Sequence, residues 1–291
     1  MENHFGQVYS VWIQIVGCRR LSVIYRSMIS FNHRLKSAIE EKRSCLCVGL
    51  DISPEMLGSE DLIDLKTHTR KVIDATRDLA AAYKPNFAFF ERWGSAGFGW
   101  LEETVDYIGS DHIRIADAKR GDIGSTAAQY AHSIFTHFGF DAVTLNPYMG
   151  RDSIIPFLEH PENGVFILCR TSNPSADDFQ DEQLAGRPLY EKVAAWANSL
   201  NEHENVGLVA GATAPEELIR IRGLVPELPL LIPGVGAQGG DLHHSVKAGS
   251  KTGVALINIS RGISFAGDLG ERAIHDSAQN YAEKMNEVFN G

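Results

Sequence analysis

The most chemically loaded stretch of the chain reads Asp117-Ala118-Lys119-Arg120-Gly121-Asp122-Ile123-Gly124-Ser125-Thr126. Strand side chains alternate faces, so Asp117 and Lys119 are expected to point one way and Ala116 and Ala118 the other. Small residues outward and charges inward invert the usual pattern of a barrel core. Desolvating a carboxylate or an ammonium costs several kcal/mol unless the charge is paired. The arrangement therefore reads either as an ion pair bracing the interior or as a functional site. Asp122 has a plainer alternative, capping of the helix that follows.

A second segment, Gly234-Val235-Gly236-Ala237-Gln238-Gly239, follows a strand and matches the glycine pattern of dinucleotide-binding loops. A dinucleotide site also needs an acid about 20 residues on. Near that position stand Asn258, Ser260 and Arg261. A phosphate cradle suits these residues better: glycines admit backbone N–H groups, and the planar fork of Arg261 matches phosphate oxygens.

Polar residues recur where apolar runs end. Asp51 closes the first run, Asn146-Pro147 the fourth, Arg170-Thr171-Ser172 the fifth and Pro233-Gly234 the seventh. Lys84 is expected to open the apolar run 85–90 rather than close one.

The elements that must hold these residues are legible from periodicity. Runs at 45–51, 83–90, 112–119, 142–146, 164–171, 206–213, 228–235 and 253–260 are apolar on both faces, as parallel strands buried under helices are. Amphipathic stretches separate them, the clearest at 61–82 and 268–289. Eight such strand–helix units are the count of an α/β, (β/α)8 TIM barrel, with a doubly wound open sheet as the alternative. The polar, acidic loop 172–187 is long enough to be a binding loop or lid. A single domain is expected over 28–291, with 1–27 as an extension outside the fold or an upstream start the cell does not use.

Of the 291 residues 44% are hydrophobic and 22% charged, enough for a large core. A formal net charge of −10 argues against nucleic acid and anionic membranes as partners, and no apolar run reaches the length of a membrane span. Cys18, Cys45, Cys47 and Cys169 contain no Cys-x-x-Cys pair, which disfavours a zinc ribbon. Cys45 and Cys47, two apart, are expected on one face of a strand as buried thiols in a reducing cytosol, hence a cytoplasmic protein.

With the D-x-K-x-x-D-I-x-x-T stretch at 117–126, the Lys84-Pro85-Asn86-Phe87 strand and the Pro233-to-Gln238 loop with Arg261, residues 30–290 resemble the orotidine 5′-phosphate decarboxylase family, most closely its longer bacterial-type subgroup. The resemblance implies a lyase that converts orotidine monophosphate to UMP and CO2 in pyrimidine biosynthesis, without cofactor or metal. It further implies a homodimer. Lys84, Asp117, Lys119 and Asp122 would form a charge network, with Asp122 and Thr126 acting across the interface. Asp51 would hold ribose hydroxyls, Ser172 or the adjacent Thr171 would meet the pyrimidine, and Pro233, Gly236, Gln238 and Arg261 would enclose the phosphate. Lys119 would sit beside ring carbon C6 and deliver its proton.

Three rivals share parts of this pattern. A barrel decarboxylase acting on a sugar-phosphate keto acid has D-x-K-x-x-D but relies on Mg2+. A phosphosugar epimerase would want a histidine-bearing metal site, for which His243 and His244 are the available pair, although both are expected on a helix surface. A non-catalytic nucleotide-binding barrel would not need the costly Asp117/Lys119/Asp122 set.

Overall fold

The structure is a computed structural model that describes residues 29–236 and 238–290. The expectation for 1–27 lies outside the described residues. Eight parallel strands close into a barrel in chain order: β1 Leu46–Leu50, β2 Ala82–Pro85, β3 Ile113–Arg120, β4 Ala142–Leu145, β5 Gly164–Arg170, β6 Val206–Ala210, β7 Leu230–Pro233 and β8 Ala255–Ile259. The closing pair is β1 with β8, Cys47 opposite Asn258. Closure rules out the open-sheet alternative.

Two apolar layers hold the barrel. The outer one lies between strands and helices. The inner one gathers Cys47, Ala82, Ile115, Ala142, Phe166, Leu231 and Leu256. Helix α1 (Phe31–Lys42) plugs the N-terminal end of the barrel with Phe31 and Leu35, both fully buried. The Phe31 ring meets Phe166 edge-on at 5.8 Å. A Cβ at Gly164 would sit 2.2 Å from that ring, so only glycine fits there.

Several expected boundaries move. Helix α2 (Leu62–Thr76) is capped by Asp61 and stops well before residue 82. The N–H groups of Leu79 and Ala80 fold back onto the Thr76 carbonyl, and Ala81 already joins the ladder through the Leu46 carbonyl. The run expected as one strand over 83–90 divides. Strand β2 ends at Pro85, and Asn86 caps a one-turn helix, α3 (Phe87–Glu91), by accepting from Ala88 N–H at 3.3 Å. Lys84 therefore lies near the C-terminal end of its strand, contrary to the expectation that it opens one. Cys45 and Cys47 do not share a face. The Cys45 thiol lies 3.5 Å from Met285 Sδ in the outer layer, whereas Cys47 faces the inner layer. Burial pushes the Cys47 thiol up to about 12.

Further helices are α4 Gly94–Ile108, α5 Gly124–Ala131, α6 Leu189–Asn198, α7 Pro215–Leu224, α8 Leu242–Gly249, α9 Arg261–Ser264 and α10 Glu271–Asn290. No helix among the described residues is long and apolar enough to cross a membrane.

Candidate active site

A cavity of about 460 Å3 opens at the C-terminal ends of the strands. That volume is in the range of small-molecule sites, and this end is where TIM barrels carry chemistry. Asp51, Lys84, Asp117, Lys119, Ser172, Pro233, Gln238 and Arg261 all line it.

At its floor the Asp117 carboxylate is held from both sides. Lys84 Nζ donates to Oδ2 at 2.6 Å from the neighbouring strand, and Lys119 Nζ donates to Oδ1 at 2.5 Å from the same strand. The side chains of Lys84 and Asp117 are 5% and 10% exposed, that of Lys119 51%. Two charges are thus fixed by burial, while the lysine at the rim stays accessible. Burial works against the charged form of Lys84, but the Asp117 and Asp51 carboxylates lift its pKa above the ordinary lysine value. Burial likewise opposes ionisation of Asp117, and the two ammonium groups hold its pKa well below the usual carboxylate range. Lys84 and Asp117 are therefore both charged at neutral pH.

Regular alternation does not produce this convergence. The pairing of β3 with β4 slips between Ala116 and Arg120, and Lys119 adopts a left-handed backbone with φ +47°. Such a conformation costs an L-residue about 1–2 kcal/mol, and bulges next to active sites re-aim side chains. The hydroxyl of Thr144, buried on β4, accepts from Lys119 N–H at 2.9 Å and lies 3.2 Å from Asp117 Oδ1.

Asp51 follows β1, and its Oδ1 is buried without a hydrogen-bond partner among the described residues. Ser172 follows β5 in a tight space. A Cβ on Gly211 or on Gly234 would come within 2.9 Å of Ser172 atoms. Its carbonyl accepts from Thr213 Oγ1 at 3.1 Å. Thr171 is committed to the loop instead. Its N–H donates to Gln180 Oε1 at 2.8 Å, its hydroxyl to Asn173 Oδ1 at 2.7 Å, and Gln180 Nε2 donates back at 2.8 Å. Arg170, 8% exposed, pins the same loop through Asp177 at 2.8 Å and Asp181 at 3.1 Å.

The glycine-rich loop is folded on itself. Gly236 N–H donates to the Gly240 carbonyl at 3.2 Å and Gly240 N–H to the Gly234 carbonyl at 3.0 Å. Gly236 does not line the cavity, whereas Gln238 does. The start of α8 is already capped by Asp241, whose Oδ1 accepts from His244 N–H at 2.6 Å, so an anion there would meet a carboxylate. Arg261 opens α9 and is exposed to the cavity. His68 of α2 steadies that turn, its Nε2 lying 2.7 Å from the Ser264 carbonyl, and burial lowers its pKa.

Asp122 and Thr126 are not brought to this cavity. Among the described residues Asp122 accepts only from the adjacent Ile123 N–H at 2.8 Å, and it does not cap α5, whose N-cap position is Ile123. Thr126 is exposed on α5. Ile123, next to Asp122 in the chain, is an exposed apolar side chain at 50%, and on the loop after β4 so are Tyr148 at 90% and Met149 at 47%. His243 and His244 stand on α8, away from the cavity, and no metal-binding group of three His, Cys, Asp or Glu residues exists among the described residues. Thr144, Asn258 and Gln180 line the cavity but were not singled out from sequence as site residues. The signal available for the first two is a polar residue inside an otherwise apolar strand.

The family model for orotidine 5′-phosphate decarboxylase / HUMPS matches residues 44–274. Orotidine 5′-phosphate decarboxylase of Halorubrum lacusprofundi is 47% identical over 280 residues, covering 89% of this chain and 99% of that protein. The enzyme of that name from Natronomonas pharaonis is 48% identical over 269 residues, covering 89% and 99%. Among solved structures, Leishmania donovani OMP decarboxylase superposes with a TM-score of 0.81 at 38% identity, over 90% of this chain and 100% of that one.

Proposed function

This chain belongs to the orotidine 5′-phosphate decarboxylase / HUMPS family, and from that premise we propose that it is a carboxy-lyase converting orotidine monophosphate to UMP and CO2, without cofactor, with Lys119 as proton donor. One observation carries the reading: the carboxylate of Asp117 is clamped between two ammonium groups at the floor of the cavity.

Loss of CO2 leaves negative charge on ring carbon C6, with no adjacent carbonyl to absorb it. The accessible ammonium of Lys119 is the group suited to stabilise that charge and then donate a proton to C6. Asp117 crowds the departing carboxylate, and Lys84 keeps Asp117 ionised and in place. Preorganised charge of this kind acts without reorganising during the reaction. Catalysis by electrostatics needs a rigid frame, and binding energy from the distant phosphate helps to set it. Arg261 and Gln238 take the phosphate in this reading. A contact from Gly236 N–H requires the loop to release its bond to Gly240. The free Asp51 oxygen suits a ribose hydroxyl. Ser172 rather than Thr171 meets the pyrimidine, because the Thr171 hydroxyl is engaged by Gln180 and Asn173.

A magnesium-dependent sugar-phosphate decarboxylase is disfavoured because each oxygen of Asp117 already accepts from an ammonium. The homodimer reading draws support from Asp122 and Thr126, which do not line their own cavity, and from the exposed apolar side chains of Ile123, Tyr148 and Met149. Burying that apolar surface against a second copy brings both residues towards the partner's site.

The experiment is a spectrophotometric assay. EDTA-treated protein depletes orotidine monophosphate absorbance at the rate of untreated protein. No turnover, or turnover that returns only with Mg2+, overturns the reading.

A further inference from the structure

We infer that Thr144 is a positioning residue for decarboxylation: its hydroxyl holds the left-handed turn at Lys119 and the Asp117 carboxylate in one geometry. The inference rests on the reading of Lys119 as proton donor.

Where β3 slips against β4, the strand cannot offer Lys119 N–H the regular ladder carbonyl. Thr144 Oγ1 takes that N–H at 2.9 Å instead. A hydroxyl has one proton, and the Thr144 proton has two acceptors in reach, Asp117 Oδ1 at 3.2 Å and the Ala116 carbonyl at 3.5 Å. The nearer and charged acceptor is favoured. One oxygen thereby ties the backbone of the lysine to the carboxylate that its ammonium also touches. Lys119 is left-handed at φ +47°, and such conformations persist only where surroundings over-determine them. Thr144 supplies that constraint from a fully packed position, 2% exposed. Without it, Lys119 relaxes towards ordinary strand geometry and its side chain swings off Asp117. Displacements of about 1 Å in reacting groups cost on the order of 100-fold in rate.

The test compares Thr144→Val, which keeps the shape and removes the hydroxyl, with Thr144→Ser, which keeps the hydroxyl. Each is measured for kcat and KM with orotidine monophosphate, UMP affinity and urea midpoint. Thr144→Val is expected to lower kcat by roughly 10- to 100-fold, with KM and UMP affinity within a few-fold and a folded native state. Thr144→Ser is expected to recover most of kcat. Wild-type kcat in Thr144→Val overturns the inference. So does a Thr144→Ser variant that stays folded but is as slow as Thr144→Val, because the methyl group and not the hydroxyl would then matter. Should Thr144→Val fail to fold, the Thr144→Ser result decides alone: kcat near wild type supports the role and a large loss overturns it. Absence of turnover in the unaltered protein defeats the functional reading instead, and so separates the two failures.

Discussion

Lys119 Nζ reaches Asp117 Oδ1 at 2.5 Å although the two residues stand only two positions apart on one strand. The contact exists because the strand bulges and Lys119 turns left-handed. Replacing Lys119 by Ala removes only this rim charge, since Lys84 still neutralises Asp117. The variant is expected to fold and to bind UMP weakly, while kcat falls by at least about 1000-fold. Stopped assays with and without the substitution check this. Turnover at the wild-type rate eliminates Lys119 as the proton donor.

Asp117 has a different weight. Its substitution by Ala leaves Lys84 buried, 5% exposed, without its nearest counter-charge. Breaking a buried pair in this way costs about 3–5 kcal/mol. Urea denaturation is expected to report a loss of that order for Asp117→Ala and a much smaller one for Lys119→Ala. Equal midpoints for the two variants would contradict the burial difference.

The same charges set a pH window. Asp117 has a depressed pKa in the folded state, so its stabilising contribution is present above the unfolded value, about 3.9, and fades as pH falls through the folded one. Lys84 is raised, so its contribution is present below about 10.4 and fades as pH rises through the folded value. Stability from this pair is therefore expected to be flat between about pH 5 and pH 9. A step inside that range that disappears in Asp117→Asn would refute the assignment of charges.

The Arg261 carbonyl closes the α9 turn by accepting from Phe265 N–H, while its guanidinium makes no hydrogen bond or ion pair among the described residues and borders the cavity. Arg261→Ala is expected to raise KM for orotidine monophosphate by about 10- to 100-fold, since charge-assisted bonds contribute about 1.5–3 kcal/mol. The phosphate-free nucleoside is expected to show no such penalty. An identical penalty on both substrates would remove Arg261 from the phosphate site.

Two variants test the proposal that the site is shared between subunits. Asp122→Ala and Lys119→Ala, mixed after mild dissociation, are expected to recover activity that neither has alone. The heterodimer then contains one site with both residues intact. No recovery, with dimers verified by light scattering, would place Asp122 outside the partner's site.

Much of this was legible in the sequence because parallel strands are buried on both faces. All eight read as continuous apolar runs, and the charges of Asp117 and Lys119 stood out against them. The same property hid the end of β2. Phe87, Phe89 and Phe90 prolong the apolar run although Asn86 has already started a helix. Thr144 was harder to read for a related reason. A single polar residue inside a buried strand stands out, but its role stays open until pairing register says what it faces. Cys45 and Cys47 show the limit of alternation as a rule, since Cys45 precedes the regular strand and turns outward.

The plug of Phe31 and Leu35 has a consequence for traffic. With that end of the barrel filled by side chains, the cavity formed by the described residues opens at the opposite end, which entering and leaving molecules then share. In the proposed reaction the gas formed deepest in the vessel must escape past a nucleotide still seated above it. Departure is thus expected in a fixed order, the small apolar product slipping out first and the charged one only after its anchoring loops let go.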